Sequence, residues 1–85
     1  MDRIEIVNAV QDACVELLKA DRSSLSDDTR FGEDLDADSL DLVEVVMSLE
    51  DRFGVTIPEE SLDGVETIGQ AVDLVQGQLA NEAST

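Results

Sequence analysis

Asp36-Ala37-Asp38-Ser39-Leu40-Asp41-Leu42-Val43-Glu44-Val45-Val46-Met47 is the stretch around which the chain is organised. A serine stands between acidic residues where an irregular segment becomes a strongly apolar helix. At about 100° per residue, the helix predicted from Ser39 to Phe53 carries two apolar faces rather than one. Leu42, Val45, Val46, Leu49 and Phe53 share an arc and read as the stripe buried in a core. Leu40, Val43 and Met47 fall on a second arc together with Ser39, Glu44, Glu50 and Asp51. A helix that only had to pack would need the first stripe alone, so the second one points to recognition.

Working outward, the first segment, from about Asp2 to Ala20, has helical period. Ile6, Val7, Val10, Cys14, Leu17 and Leu18 share one face, and Asp2 with Glu5 three residues on makes a capping-box-like start. Cys14 lies in the apolar stripe and reads as a small core residue. From Asp21 to Asp38 there is no sustained period. Leu25, Phe31 and Leu35 are anchors that would pin this long loop to the helices, and Gly32 marks a turn. Gly54 closes the central helix. Val55-Thr56-Ile57 is extended in type, and Pro58 opens a short helix through Leu62 that Gly64 breaks.

Thr67-Ile68-Gly69-Gln70 has the capping-box pattern of a last helix with Ile68, Ala71, Val72, Val75 and Leu79 buried. Gly69 and Gly77 each weaken that helix by about 1 kcal/mol relative to Ala. The fold expected is all-α, a small four-helix bundle of three longer helices plus one short one, with a long first loop. It forms one domain over residues 1–79, followed by a frayed tail at 80–85. The Met start and the acidic end read as a complete chain. There is no internal repeat.

Composition removes several function classes. Among 85 residues, 21 acidic against 5 basic ones give a formal charge of −16. Such a surface repels nucleic acid and anionic membranes and attracts basic partners. Two Phe without Trp or Tyr provide no platform for stacking bases. Without histidine, no Ser-His or Cys-His nucleophile can be assembled within the chain. One Cys fits a reducing compartment better than a disulfide framework. The N-terminus lacks a basic region followed by an apolar run, so a soluble cytoplasmic protein is expected. A thin core under so much like charge implies marginal stability that responds to salt and divalent ions.

Ser39 by itself reads as an N-cap. Asp36 and Asp38 beside it can take over that role, the second apolar arc adjoins it, and an anion attached there would meet a helix N-terminus. The carboxylates could be a solvated face, but their grouping with Leu40, Val43 and Met47 suggests a surface in which charge steers and apolar groups dock. Asp34, Asp36 and Asp38 have the 1-3-5 spacing of a calcium loop. That pattern fails at the sixth position, Ser39, and at the twelfth, Val45, so no dedicated metal site is expected.

The ordered series Asp36-x-Asp38-Ser39-Leu40-x-x-Val43-Glu44-x-x-Met47, with Glu50, Phe53-Gly54 and Ile57-Pro58, resembles the acyl carrier protein family over nearly the whole domain. The resemblance implies a non-catalytic carrier whose Ser39 bears 4′-phosphopantetheine, transferred from coenzyme A, with acyl groups held on it as thioesters for fatty-acid or polyketide biosynthesis. It implies a monomer whose bundle can open to shelter the acyl chain. The partners it implies are a phosphopantetheinyl transferase and ketosynthase, acyltransferase, reductase or acyl-ligase enzymes with basic patches. These would dock on Asp36, Asp38, Leu40, Asp41, Val43, Glu44, Met47, Glu50 and Asp51. Arg52 departs from the pattern where fatty-acid carriers commonly have an acidic residue. Peptidyl carriers more often have Gly-Gly before the serine, and Asp36-Ala37-Asp38 favours an acyl or polyketide cargo instead. The alternatives are a carrier of an amino acid or specialised acid in a natural-product pathway, and an acidic helical interaction module that is never modified.

Overall fold

A computed structural model describes residues 2–83, with side chains through residue 81. Three α-helices, α1 (Arg3–Leu18), α2 (Ser39–Phe53) and α3 (Ile68–Ala83), are joined by a long first loop and by a segment containing a 3-10 helix, Glu59–Gly64. α1 packs against both α2 and α3. Ile6, Val10 and Cys14 of α1 meet Val45 and Leu49 of α2 and Ile68, Val72 and Val75 of α3 in one core. The all-α bundle expected from periodicity is present. Its short fourth helix is 3-10 and contributes no fully buried residue.

Three local expectations are corrected. At the start of α1 the capping box does not form: the Glu5 N–H that the box requires is taken by the Asp2 carbonyl at 3.1 Å, and the Asp2 carboxylate makes no cap bond. At its end, Lys19 turns left-handed (φ 59°), so the helix stops at Leu18 rather than Ala20. Burial stops earlier, at Cys14, and Leu17 in the last turn is 40% exposed. In the third correction, α3 runs on through Ala83 rather than fraying after Leu79. Ala80, Asn81, Glu82 and Ala83 include no helix breaker, and an established helix adds one hydrogen bond per residue without needing a buried stripe. Ser84 and Thr85 lie outside the described residues.

The first loop is tied to the start of α3. Phe31, 3% exposed, plugs the core. Its N–H donates to the Glu66 carbonyl at 2.9 Å, beside an antiparallel bridge between Arg30 and Thr67. The Ile68 N–H donates to the Thr29 carbonyl at 3.0 Å and the Gly69 N–H to the Asp27 carbonyl at 2.9 Å. Thr67 and Gln70 form the anticipated capping box: Thr67 Oγ1 accepts from the Gln70 N–H at 3.2 Å, and Gln70 Oε1 accepts from the Thr67 N–H at 3.0 Å. With the Ala71 N–H on the Thr67 carbonyl, all four donors at this helix start are satisfied, two of them by the loop. This is also the reason for Gly69. A Cβ there would lie 3.1 Å from the Asp27 carbonyl oxygen.

Candidate functional site

The site is built where the first loop delivers the chain into α2. Asp36 makes the last bend in a left-handed conformation (φ 54°), one that Asp tolerates better than most residues. Asp38 then caps the helix. Its Oδ1 accepts from the Asp41 N–H at 2.9 Å, and Asp41 Oδ2 accepts from the Asp38 N–H at 3.2 Å, a reciprocal box made of two aspartates. The capping box therefore forms without Ser39. Its side chain stands exposed in the first turn, and no group among the described residues is hydrogen-bonded to its Oγ. The Leu42 N–H goes to the Asp38 carbonyl at 3.1 Å, and the amides of Ser39 and Leu40 have no acceptor among the described residues.

Two open grooves adjoin Ser39. One, of about 390 Å³, lies toward the first loop, with Arg30, Phe31, Ala37 and Val65 among its walls. The other, of about 560 Å³, lies between α2 and the 3-10 helix. Leu40, Leu42, Val43 and Leu62 line it, and Glu59, Glu60 and Asp63 contribute to its walls.

The two arcs of α2 separate as the sequence indicated. Val45, Val46 and Leu49 are buried, whereas Leu40 is 72% and Met47 57% exposed, with Glu44 and Asp51 exposed beside them. Val43 is half-buried and belongs to the groove wall. Glu50 is not free: it is half-buried, and its Oε2 accepts the Ile57 N–H at 2.7 Å, tying α2 to the segment that follows it. Arg52 faces elsewhere. Its guanidinium reaches Asp12 on α1 at 3.0 Å, and the same carboxylate binds Arg22. The basic residue that departs from the acidic pattern is therefore neutralised on the α1 side, one helical step away from the arc of Leu40, Met47 and Asp51.

Among the described residues, no three Asp, Glu or Cys side chains converge as metal ligands. Asp34, part of the calcium-like spacing, uses Oδ2 to accept the Arg30 N–H at 2.8 Å. Cys14 is fully buried in the core, and burial pushes its thiol up to about 11.

The family model described as the phosphopantetheine attachment site covers residues 8–75 of the chain. The chain belongs to the acyl carrier protein family. It is 45% identical over 75 residues to the acyl carrier protein of Rubrobacter xylanophilus, spanning 88% of this chain and 93% of that one. It is 40% identical over 76 residues to the acyl carrier protein of Lactobacillus acidophilus, spanning 89% and 95%. Among solved structures, the acyl carrier protein from Enterococcus faecalis superposes with a TM-score of 0.76 at 32% identity over 92% of this chain and 99% of that chain. The acetyl actinorhodin acyl carrier protein from Streptomyces coelicolor gives 0.70 at 34% identity over 96% and 94%.

As an acyl carrier protein, the chain is not a catalyst. It carries covalent 4′-phosphopantetheine and serves the fatty-acid or polyketide class of synthesis at the level of the family. The residues around Ser39 suit such a group: an exposed hydroxyl with no competing bond, and unclaimed helix-start amides for an anion. The Asp38–Asp41 box was legible in the Asp-x-x-Asp spacing but was not anticipated. The pairing of Arg52 with Asp12 and the capture of the Ile57 amide by Glu50 depend on tertiary placement and leave no local signal.

Proposed function

We propose that Ser39 is the residue that bears the 4′-phosphopantetheine arm, and that the outer arc of α2 is the face on which partner enzymes dock. The observation that carries the first part is the division of labour at the start of α2. Asp38 and Asp41 form the capping box between themselves, so the Ser39 hydroxyl serves no structural bond and projects from the first turn of α2. When bound, the arm supplies a thiol that holds an acyl group as a thioester. The protein's own residues seat its root and display it to a partner.

The second part rests on Leu40 and Met47, large apolar side chains left in solvent beside Glu44 and Asp51, with Asp36, Asp38 and Asp41 near the serine. Acidic groups in this arrangement attract a basic patch at long range, and the apolar pair provides the desolvated contact. Val43 and Glu50 belong to the same docking set with smaller shares, since one lines a groove and the other holds the Ile57 amide. The partners of this reading are a phosphopantetheinyl transferase and acyl-handling enzymes with basic docking patches. A cytoplasmic monomer is part of it. A single buried thiol suits a reducing compartment, and a formal charge of −16 sets copies of the chain repelling one another.

The test is intact mass before and after incubation with coenzyme A, Mg²⁺ and a broad-specificity phosphopantetheinyl transferase, beside Ser39→Ala. The native chain gains one phosphopantetheinyl unit and the variant gains none while retaining its helical circular dichroism. A gain on the variant, or none on a folded native chain, overturns the assignment.

A further inference from the structure

The two grooves beside Ser39 differ in charge. The groove toward the 3-10 helix has Glu59, Glu60 and Asp63 in its walls and no Arg or Lys. The groove toward the first loop has Glu33, Asp38 and Glu66, and with them Arg30, one of five basic residues in the chain. The backbone of Arg30 is fixed. Its N–H donates to Asp34 Oδ2 at 2.8 Å, its carbonyl accepts the Asp34 and Leu35 N–H groups at 2.9 and 3.2 Å, and it is bridged to Thr67. Its side chain is held loosely by comparison: one contact, to Glu33 Oε2 at 3.2 Å, between side chains 53% and 73% exposed. A pair that exposed is easily exchanged for a better anion.

Resting on the assignment of Ser39, we infer that Arg30 is a positioning residue for the phosphodiester at the root of the arm, and that this root is seated on the first-loop side of Ser39. A phosphodiester adds a negative charge to a rim that already carries several. On the 3-10 side it would meet carboxylates alone. On the loop side a guanidinium shares the groove with the attachment serine, and its fork of N–H donors matches paired phosphate oxygens better than its single contact with the exposed Glu33 carboxylate. Arg3, Arg22 and Arg52 are tied to Asp73 and Gln76, to Asp12 and Gln11, and to Asp12 respectively. Arg30 therefore exchanges Glu33 for the phosphodiester when Ser39 is modified.

The experiment compares the apo and holo forms of the whole chain by NMR, with intact mass confirming conversion. On conversion the Arg30 Nε–H resonance shifts, while those of Arg3, Arg22 and Arg52 hold still. In R30Q the apo protein melts within about 4 °C of the native one, as a surface change of this kind should. The ³¹P resonance of its holo form is displaced from the native position, and R30K brings it part of the way back. Full conversion with an unmoved Arg30 resonance and an unchanged ³¹P resonance in R30Q overturns the inference and leaves Ser39 as the attachment site. Absence of any mass gain on the native chain overturns the attachment site itself, and the role of Arg30 with it.

Discussion

Gly69 and Gly77 occupy the same helix and look equivalent in sequence, yet the fold gives them opposite roles. At Gly77 a Cβ would meet nothing within 4 Å, and the residue lies exposed within α3. Ala there removes backbone freedom from the unfolded chain and stabilises by about 0.5–1 kcal/mol. In a domain of this size that raises Tm by roughly 2–8 °C. At Gly69 a Cβ would sit 3.1 Å from the Asp27 carbonyl oxygen and 3.2 Å from Asp27 Cβ, while the Gly69 N–H donates to that carbonyl at 2.9 Å. Neither contact is with a flexible chain end, so Ala at 69 must push the loop by a few tenths of an ångström and stretch the bond that fastens it. The propensity gain is offset, and Tm stays level or falls. Urea and thermal unfolding of both variants, with amide exchange at Thr29 to Phe31, measure the contrast. A Gly69→Ala protein stabilised as much as Gly77→Ala, with loop amides unchanged, would refute the reasoning. A Gly77→Ala protein with no gain would mean that α3 is frayed at that turn.

Glu50→Ala costs about 1–3 kcal/mol in urea unfolding because it strands the Ile57 N–H, while Glu50→Gln, which keeps an acceptor oxygen, costs less. The reverse order would mean that charge rather than the hydrogen bond matters there. Leu40→Ser and Met47→Ser leave Tm unchanged and lower the kcat/KM of the phosphopantetheinyl transferase by roughly 5- to 30-fold each, equivalent to about 1–2 kcal/mol. Unaltered kinetics in both would remove the docking face. Cys14, raised from 9.0 to about 11 by burial, is protonated in the folded chain at pH values where the unfolded thiol has ionised. Its contribution is therefore whole below pH 9 and is lost as pH climbs toward 11, by roughly 1 kcal/mol per unit. A Tm–pH profile of the native chain, steeper over that window than that of Cys14→Ala, checks the sign. Identical slopes would count against it.

Much of this was legible in the sequence because periodicity reports burial directly. The stripe Val45-Val46-Leu49 and the outward arc Leu40-Met47 are both read from spacing, and both hold. Thr67 and Gln70 announce their helix start by chemistry local to four residues. Long-range pairings were not legible. No pattern in the first loop says that Thr29 and Asp27 cap α3, or that Asp12 gathers Arg22 and Arg52, since these pairings exist only once the helices are packed. The Asp2–Glu5 box shows the opposite failure, a sound local motif displaced by a competing backbone bond. The continuation of α3 beyond Leu79 was hidden because propagation needs no apolar stripe.

The fastening of the first loop to α3 also decides where the molecule can breathe. Cooperative opening units follow shared hydrogen bonds. The loop that looks softest in composition shares main-chain bonds with α3 at Asp27 and Thr29, and with Glu66 just before α3 at Phe31. Its amides should exchange together with those of the helix start. The 3-10 helix has no side-chain cap and no fully buried residue, so it is free to open as a separate unit of lower protection. Deforming the bundle on the side of the 3-10 helix should therefore cost less than deforming it on the side of the first loop, where Ala37, two residues before Ser39, donates its N–H to the Phe31 carbonyl at 2.9 Å.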